Sequence, residues 1–548
     1  MSERDDRAGM ARRHFLRSSL MAGAGTALLP PAVAMPKAAP IAATALPVPA
    51  FELNEATIAD LQAGMASGKF SARGLAEKYL VRIDQIDRHG PAINSVIEIN
   101  PDALAIADAL DKERATGKTR GPLHGIPVLI KDNIETADRM QTTAGSLALA
   151  GSRPARDSFV AQKLRDAGAV ILGKTNLSEW ANIRSSHSTS GWSARGGLTK
   201  NPYALDRNPC GSSSGSGAAI AANLCAAAVG TETDGSIVCP SNVNGLVGIK
   251  PTVGLISRAG IIPIAHSQDT PGPMARTVRD AAILLGGLAG PDPRDRFTAA
   301  GGGKAFPDYT RFLDPNGLRG SRIGIARKYF GIHDAVDKLM NEAIDAMRHA
   351  GAEIIDPADL ESHGKFDRTE LTVLLYELKA DLNAYLASRP NVPVHSLREI
   401  IEFNERNREK EMPYFDQDLF VKAEAKGPLT EKEYVDALAA NHQLAREQGI
   451  DGVMDKFRLD ALAAPTAGPA WLTDLVDGDH DLGGSSNAAA VAGYPDITVP
   501  AGFVSGLPVG ISFFGLAWSE PKLLRIAYAF EQMTKARKPP GFLPSVAS

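Results

Sequence analysis

Asn208-Pro209-Cys210-Gly211-Ser212-Ser213-Ser214-Gly215-Ser216-Gly217 opens the stretch that decides the fold. An alanine-rich run follows, then Gly230-Thr231-Glu232-Thr233-Asp234-Gly235-Ser236-Ile237-Val238-Cys239-Pro240-Ser241. Gly admits close backbone approach and positive φ, and Gly and Ser supply donors without bulk. Such residues suit a reacting centre better than a core. A flexible Gly/Ser linker is the bland alternative, but Ala218–Val229 is apolar and reads as helix-forming rather than solvated. Gly211-Ser212-Ser213-Ser214-Gly215 also fits G-x-S-x-G. That nucleophile elbow needs a hydrophobic strand before it, and Tyr203–Pro209 reads as a turn. No Gly-Lys-Ser/Thr closes the loop, as a phosphate cradle would require.

Upstream lies Gly125-Ile126-Pro127-Val128-Leu129-Ile130-Lys131-Asp132-Asn133. Ile126–Ile130 is a short apolar strand with Lys131 at its end. A lysine there is usually a solvated terminus. The three segments together, with Ser212 and Ser236 24 positions apart, resemble the amidase signature family of serine hydrolases. The resemblance spans residues 54–545 with a weak middle. It continues through Lys174–Trp180, Gln268–Arg276, Ser485-Ser486-Asn487, Gly493–Pro500 and Gly506–Gly510.

The resemblance implies an α/β fold, a large mixed β-sheet core flanked by α-helices, and a Ser–cis-Ser–Lys triad. Ser236 would be the nucleophile, Ser212 the bridge in cis conformation and Lys131 the base. Gly211, Ser213 and Ser214 would support the loop. The oxyanion hole would use the backbone N–H groups of Thr233, Asp234, Gly235 and Ser236. Free lysine is protonated at neutral pH, with a pKa of roughly 10.4. Burial disfavours the charged form, so the end of an apolar strand suits a lysine base. Asp234 stands where most members have Gly, and Val238 where most have Arg. These departures resemble the bacterial peptide amidase branch, whose members release ammonia from C-terminal peptide amides. Asp234 is expected to narrow the acyl pocket. The competing functions are an amidotransferase-type subunit of glutaminyl-tRNA synthesis and a non-catalytic binding protein on the same scaffold.

Composition bounds the rest. The 548 residues are 44% hydrophobic, enough for a sizeable core, and 59 basic face 63 acidic residues. No long basic block argues for nucleic acid. No His/Cys cluster has zinc spacing, and neither metal nor cofactor is expected. Cys210, Cys225 and Cys239 do not form a disulfide framework by count or spacing, and they read as small buried side chains. Ala11-Arg12-Arg13-His14-Phe15-Leu16-Arg17, a mild apolar stretch and Ala32-Val33-Ala34 resemble a twin-arginine export signal over residues 1–34. The apolar stretch is too short to span a bilayer, so no stable membrane insertion is expected. A Pro/Ala-rich linker covers 35–53. A periplasmic or secreted enzyme, monomer or homodimer, with a peptide or small amide substrate follows as the expectation.

Ser71 starts a helix carrying Leu75, Tyr79, Ile83 and Ile86, and a second runs from Pro101 to Arg114. Asp157 reads as the cap of a helix that Gly168 ends, and Ala169–Gly173 as the strand after it. Helix, glycine and strand in this order argue for α/β layers. Val278–Leu288 and Val336–Ala350 are further helices, and Arg322–Ala326 and Leu459–Pro465 further strands. Residues 291–450 form a variable, mostly helical region expected to shape substrate entry. His266 reads as a pocket-wall or packing residue, and Glu179 as structural.

Overall fold

The computed structural model describes residues 45–389 and 391–546. The export signal, and the linker as far as residue 44, lie outside the described residues. The rest of the linker is docked onto the body: Leu46 N–H donates to Phe542 O at 3.3 Å, and Leu53 is buried.

Thirteen strands occur among the described residues. In chain order they are β1 Val96–Ile99, β2 Pro127–Lys131, β3 Val170–Thr175, β4 Trp192–Ser193, β5 Gly197–Leu198, β6 Ala227–Glu232, β7 Val247–Lys250, β8 Thr270–Ala275, β9 Arg322–Ile325, β10 Glu353–Ile355, β11 Ala461–Pro465, β12 Asp496–Val504 and β13 Leu507–Phe514. β4 and β5 pair with each other. The other eleven form one mixed sheet in the order β1-β3-β2-β6-β8-β7-β12-β13-β11-β9-β10. This is the large mixed sheet expected of the amidase signature fold. β2 runs parallel to both β3 and β6, whereas β6, β8, β7, β12, β13 and β11 alternate in direction.

The central strands are buried along their whole length, so they appear in sequence as continuous apolar runs. This corrects the reading of Ala218–Val229. Only Ser214–Ala221 is helical, and Ala227–Glu232 is the strand beside β2. Asn223, at φ +59°, turns the chain between them. Small side chains suit both elements, because the helix packs directly onto β2, β3 and β6. A second correction concerns the helix Phe159–Asp166, which is capped by Ser158 rather than Asp157. The Ser158 hydroxyl accepts from Ala161 N–H at 3.1 Å, and Asp157 instead pairs with Arg165.

Helices from 367–442 form a satellite layer. Leu375, Leu378, Leu382, Ile400 and Phe420 pack with Trp180 and Ile264 of the body in one buried cluster. Arg184, fully buried, ties this layer down: it pairs with Glu179 and donates to the Glu411 carbonyl at 2.6 Å. Glu179 is thus in a structural ion pair.

Candidate active site

Strand pairing sets the position of Lys131. Parallel register places Ile130 of β2 beside Val229 of β6, so Lys131 lies next to the end of β6 that carries Thr231. The loop before helix Ser214–Ala221 folds over both strand ends. Its Gly211–Ser212 peptide is cis, as expected of Ser212. Gly211 allows the close approach, since a Cβ there would stand 2.1 Å from Ser178 Oγ.

Lys131 Nζ lies 2.8 Å from Ser212 Oγ, 3.1 Å from Ser213 Oγ, 3.1 Å from Thr231 O and 3.0 Å from Thr231 Oγ1. The lysine is 0% exposed. No carboxylate comes within ion-pair distance of it among the described residues. Burial lowers its pKa to about 7, against a smaller upward pull from Glu232 and Asp269. A neutral amine offers two N–H groups and one lone pair. The Thr231 carbonyl only accepts, so it takes one N–H. Ser213 directs its own hydroxyl to that carbonyl at 3.1 Å, so its oxygen, together with Thr231 Oγ1, shares the other. The lone pair is left for the Ser212 hydroxyl.

Ser236 follows β6 through a loop with Gly235 at φ +75°. Ser213 N–H donates to Ser236 O at 3.1 Å, which holds the two segments side by side. The Ser236 hydroxyl makes no hydrogen bond among the described residues, to Ser212 or to any other group. The side chain is 7% exposed and lines a cavity of about 330 Å³. Cys210, Gly211, Thr233, Asp234 and Gly235 line the same cavity.

The backbone N–H groups of Thr233, Asp234 and Ser236 donate to no protein acceptor among the described residues, as an oxyanion hole requires. The next two, of Ile237 and Val238, turn inward to Glu232 Oε2 at 2.7 and 3.0 Å. Gly235 N–H also acts to lower the Glu232 carboxyl. Asp234 is half-buried beside Glu370 and accepts from Ser486 Oγ at 2.6 Å. Burial pushes both carboxyls up, Asp234 to about 7, and the neighbouring Asp234 raises Glu370 further.

The cysteine reading holds for Cys225 and is overturned for the other two. Cys210 and Cys239 are joined by a disulfide, and only Cys225 is free, buried. The bond links the residue before Gly211 to the helix that begins after Ser236. The chain leaves this point through a helix and a strand before returning, so a separation of 29 positions shows no local pattern.

Sequence reasoning passed over Thr231, the lysine's nearest backbone neighbour, and Asn133, whose Nδ2 donates to Thr231 Oγ1 at 2.9 Å. Both adjoin the predicted motifs, and adjacency to Lys131 and Glu232 was the available signal. His266 is a pocket-wall residue as expected. Its Nδ1 lies 2.8 Å from Asp381 Oδ2 and its Nε2 3.3 Å from Glu377 Oε1. Burial opposes charge on the ring, but these carboxylates outweigh it and raise its pKa.

The Amidase family model matches residues 75–524. The chain belongs to the Amidase family. The solved peptide amidase of Stenotrophomonas maltophilia is 52% identical, with a TM-score of 0.86 over 90% of this amidase and 100% of that chain. A protein of Arabidopsis thaliana named a probable amidase is 44% identical over 503 residues, 90% of this chain and 93% of its own. A glutamyl-tRNA(Gln) amidotransferase subunit from Halorhodospira halophila is 35% identical, over 89% of this chain and 100% of its own. No helix among the described residues of the amidase is long and apolar enough to cross a membrane.

Proposed function

We propose that this amidase hydrolyses C-terminal peptide amides to acid and ammonia through an acyl-enzyme on Ser236. The observation that carries the reading is a buried lysine, without a carboxylate partner among the described residues, 2.8 Å from the hydroxyl of Ser212. Serine is a weak nucleophile and needs a base. As the Ser236 oxygen attacks the amide carbon, its proton passes to Ser212, whose own proton passes to the Lys131 lone pair. The carbonyl oxygen gathers negative charge toward the free N–H groups of Thr233, Asp234 and Ser236. One such donor is worth ~3 kcal/mol in the transition state. The C–N bond breaks as the proton returns by the same route to the leaving nitrogen, and ammonia departs. Water then attacks the ester, giving its proton to the relay, and Ser236 is restored.

The peptide amide preference is supported by the higher identity to the Stenotrophomonas enzyme than to the amidotransferase protein. Export is supported by the twin-arginine pattern and by a disulfide, which persists in oxidising compartments. The test is an ammonia-release screen of peptide amides, simple aliphatic amides and glutamine on the purified mature protein, with Ser236→Ala as control. Glutamine turnover without peptide amide turnover would sink the proposal.

A further inference from the structure

The cavity beside Ser236 has a one-sided charge. Three residues with carboxyl groups line it, Asp234, Asp479 and Asp481, and no Lys, Arg or His among the described residues does. Asp479 accepts from Ser190 Oγ at 2.6 Å, Ser190 N–H at 3.0 Å, Asn208 Nδ2 at 3.3 Å and Trp471 Nε1 at 3.2 Å. Every partner is an uncharged donor, which suits the ionised carboxylate. Asp481 is exposed, accepts only from Gly483 N–H at 2.6 Å, and has no ion-pair partner among the described residues. Burial and the neighbouring Asp481 both act to raise the Asp479 carboxyl. A cation between the two would relieve both penalties. Trp471, Ile264 and Leu374 give the same cavity apolar wall for an aliphatic stem. A second feature points to a ligand at this place: the Ser236 hydroxyl, on a residue 7% exposed, has no partner among the described residues and opens onto the cavity.

We infer that this cavity selects amides whose acyl part carries a positive charge. The inference rests on amide hydrolysis at Ser236 and adds the substrate class. Two groups supply that charge, a basic side chain on the terminal residue and the α-ammonium of a single amino acid amide. Two substrate pairs separate them. N-acetylargininamide is compared with N-acetylcitrullinamide, which has the same length and no charge. Leucinamide is compared with 4-methylpentanamide, the same skeleton without the amine.

An exposed carboxylate pair is worth up to about fivefold, so two carboxylates give a kcat/KM ratio of about five to twentyfold for the charged member of a pair. The ratio should fall toward one as salt rises, because this edge of the cavity is open to solvent. Asp481→Asn should lower the ratio about two- to fivefold; a general loss of folding lowers both members alike and leaves the ratio unchanged. A ratio at or below one in both pairs overturns the inference while ammonia release from all four amides leaves the hydrolytic reading standing. No ammonia from any of them removes the hydrolytic reading and this inference with it.

Discussion

Removing the Cys210–Cys239 disulfide should weaken both the stability and the chemistry of this amidase, by different amounts. The variant is Cys210→Ser/Cys239→Ser. The bond closes a loop of 29 positions. Chain entropy for a loop of that length gives about 3.6 kcal/mol of stabilisation. A domain of roughly 500 residues has an unfolding entropy of about 1 kcal/mol/K, so the variant should melt about 3–4 °C lower. Its kcat should fall further than this suggests, by roughly ten- to a hundredfold. The bond pins the Ser212 loop to the helix after Ser236, and an ångström of misplacement between reacting groups costs about that much. Ser213 N–H to Ser236 O at 3.1 Å and Asn244 Nδ2 to Pro209 O at 3.1 Å remain, which is why some activity should survive. The assay is differential scanning calorimetry of the oxidised wild type and the variant, paired with steady-state ammonia release. Equal melting temperatures and equal kcat would refute both halves of the reasoning.

Four further outcomes are expected. Ser236→Ala and Lys131→Ala should stop ammonia release while circular dichroism stays native, and Ser212→Ala should be severely impaired; full activity in any of them contradicts the relay. Lys131→Met should be more stable than wild type at pH 7, by up to about 4 kcal/mol, because burial lowers the folded-state pKa to about 7 while the unfolded chain still binds a proton. For this depressed lysine the wild-type penalty is full below pH 7 and fades as pH rises toward 10.5, so urea melts at pH 7 and 10 should show the gap closing. Thr231→Val removes one hydroxyl neighbour of Lys131 and should lower kcat about tenfold with little change in KM. Arg184→Met leaves Glu179 and Glu411 buried without their cation and should cost about 3–5 kcal/mol, read as a lower urea midpoint.

Much of this was legible because β2, β3 and β11 are short apolar runs, and Val278–Leu288 is a helix over the same residues that its periodicity marks. The alanine run was harder. A fully buried strand and a buried helix have the same composition, and periodicity alone does not separate them. β8 carries no strand signal in sequence, because Pro271 and Pro273 argue against one at the centre of a sheet. Lys131, Ser212 and Ser236 were named from motifs, but nothing in the linear pattern shows that Thr231 and Ser213 complete the lysine's surroundings. That requires the parallel register of β2 and β6. The disulfide was hidden for a similar reason, since its two ends meet only after the helix and β6 have been traversed.

Lys131 supplies the most direct measurement. Lysine side chains can be labelled with 13C at Cε and followed by NMR against pH, with the Lys131→Met spectrum assigning the signal. The account predicts an amine that titrates at about 7 in the folded enzyme, with kcat/KM rising through the same pH. A Lys131 signal that titrates above 10, alongside full activity at pH 7, would contradict it.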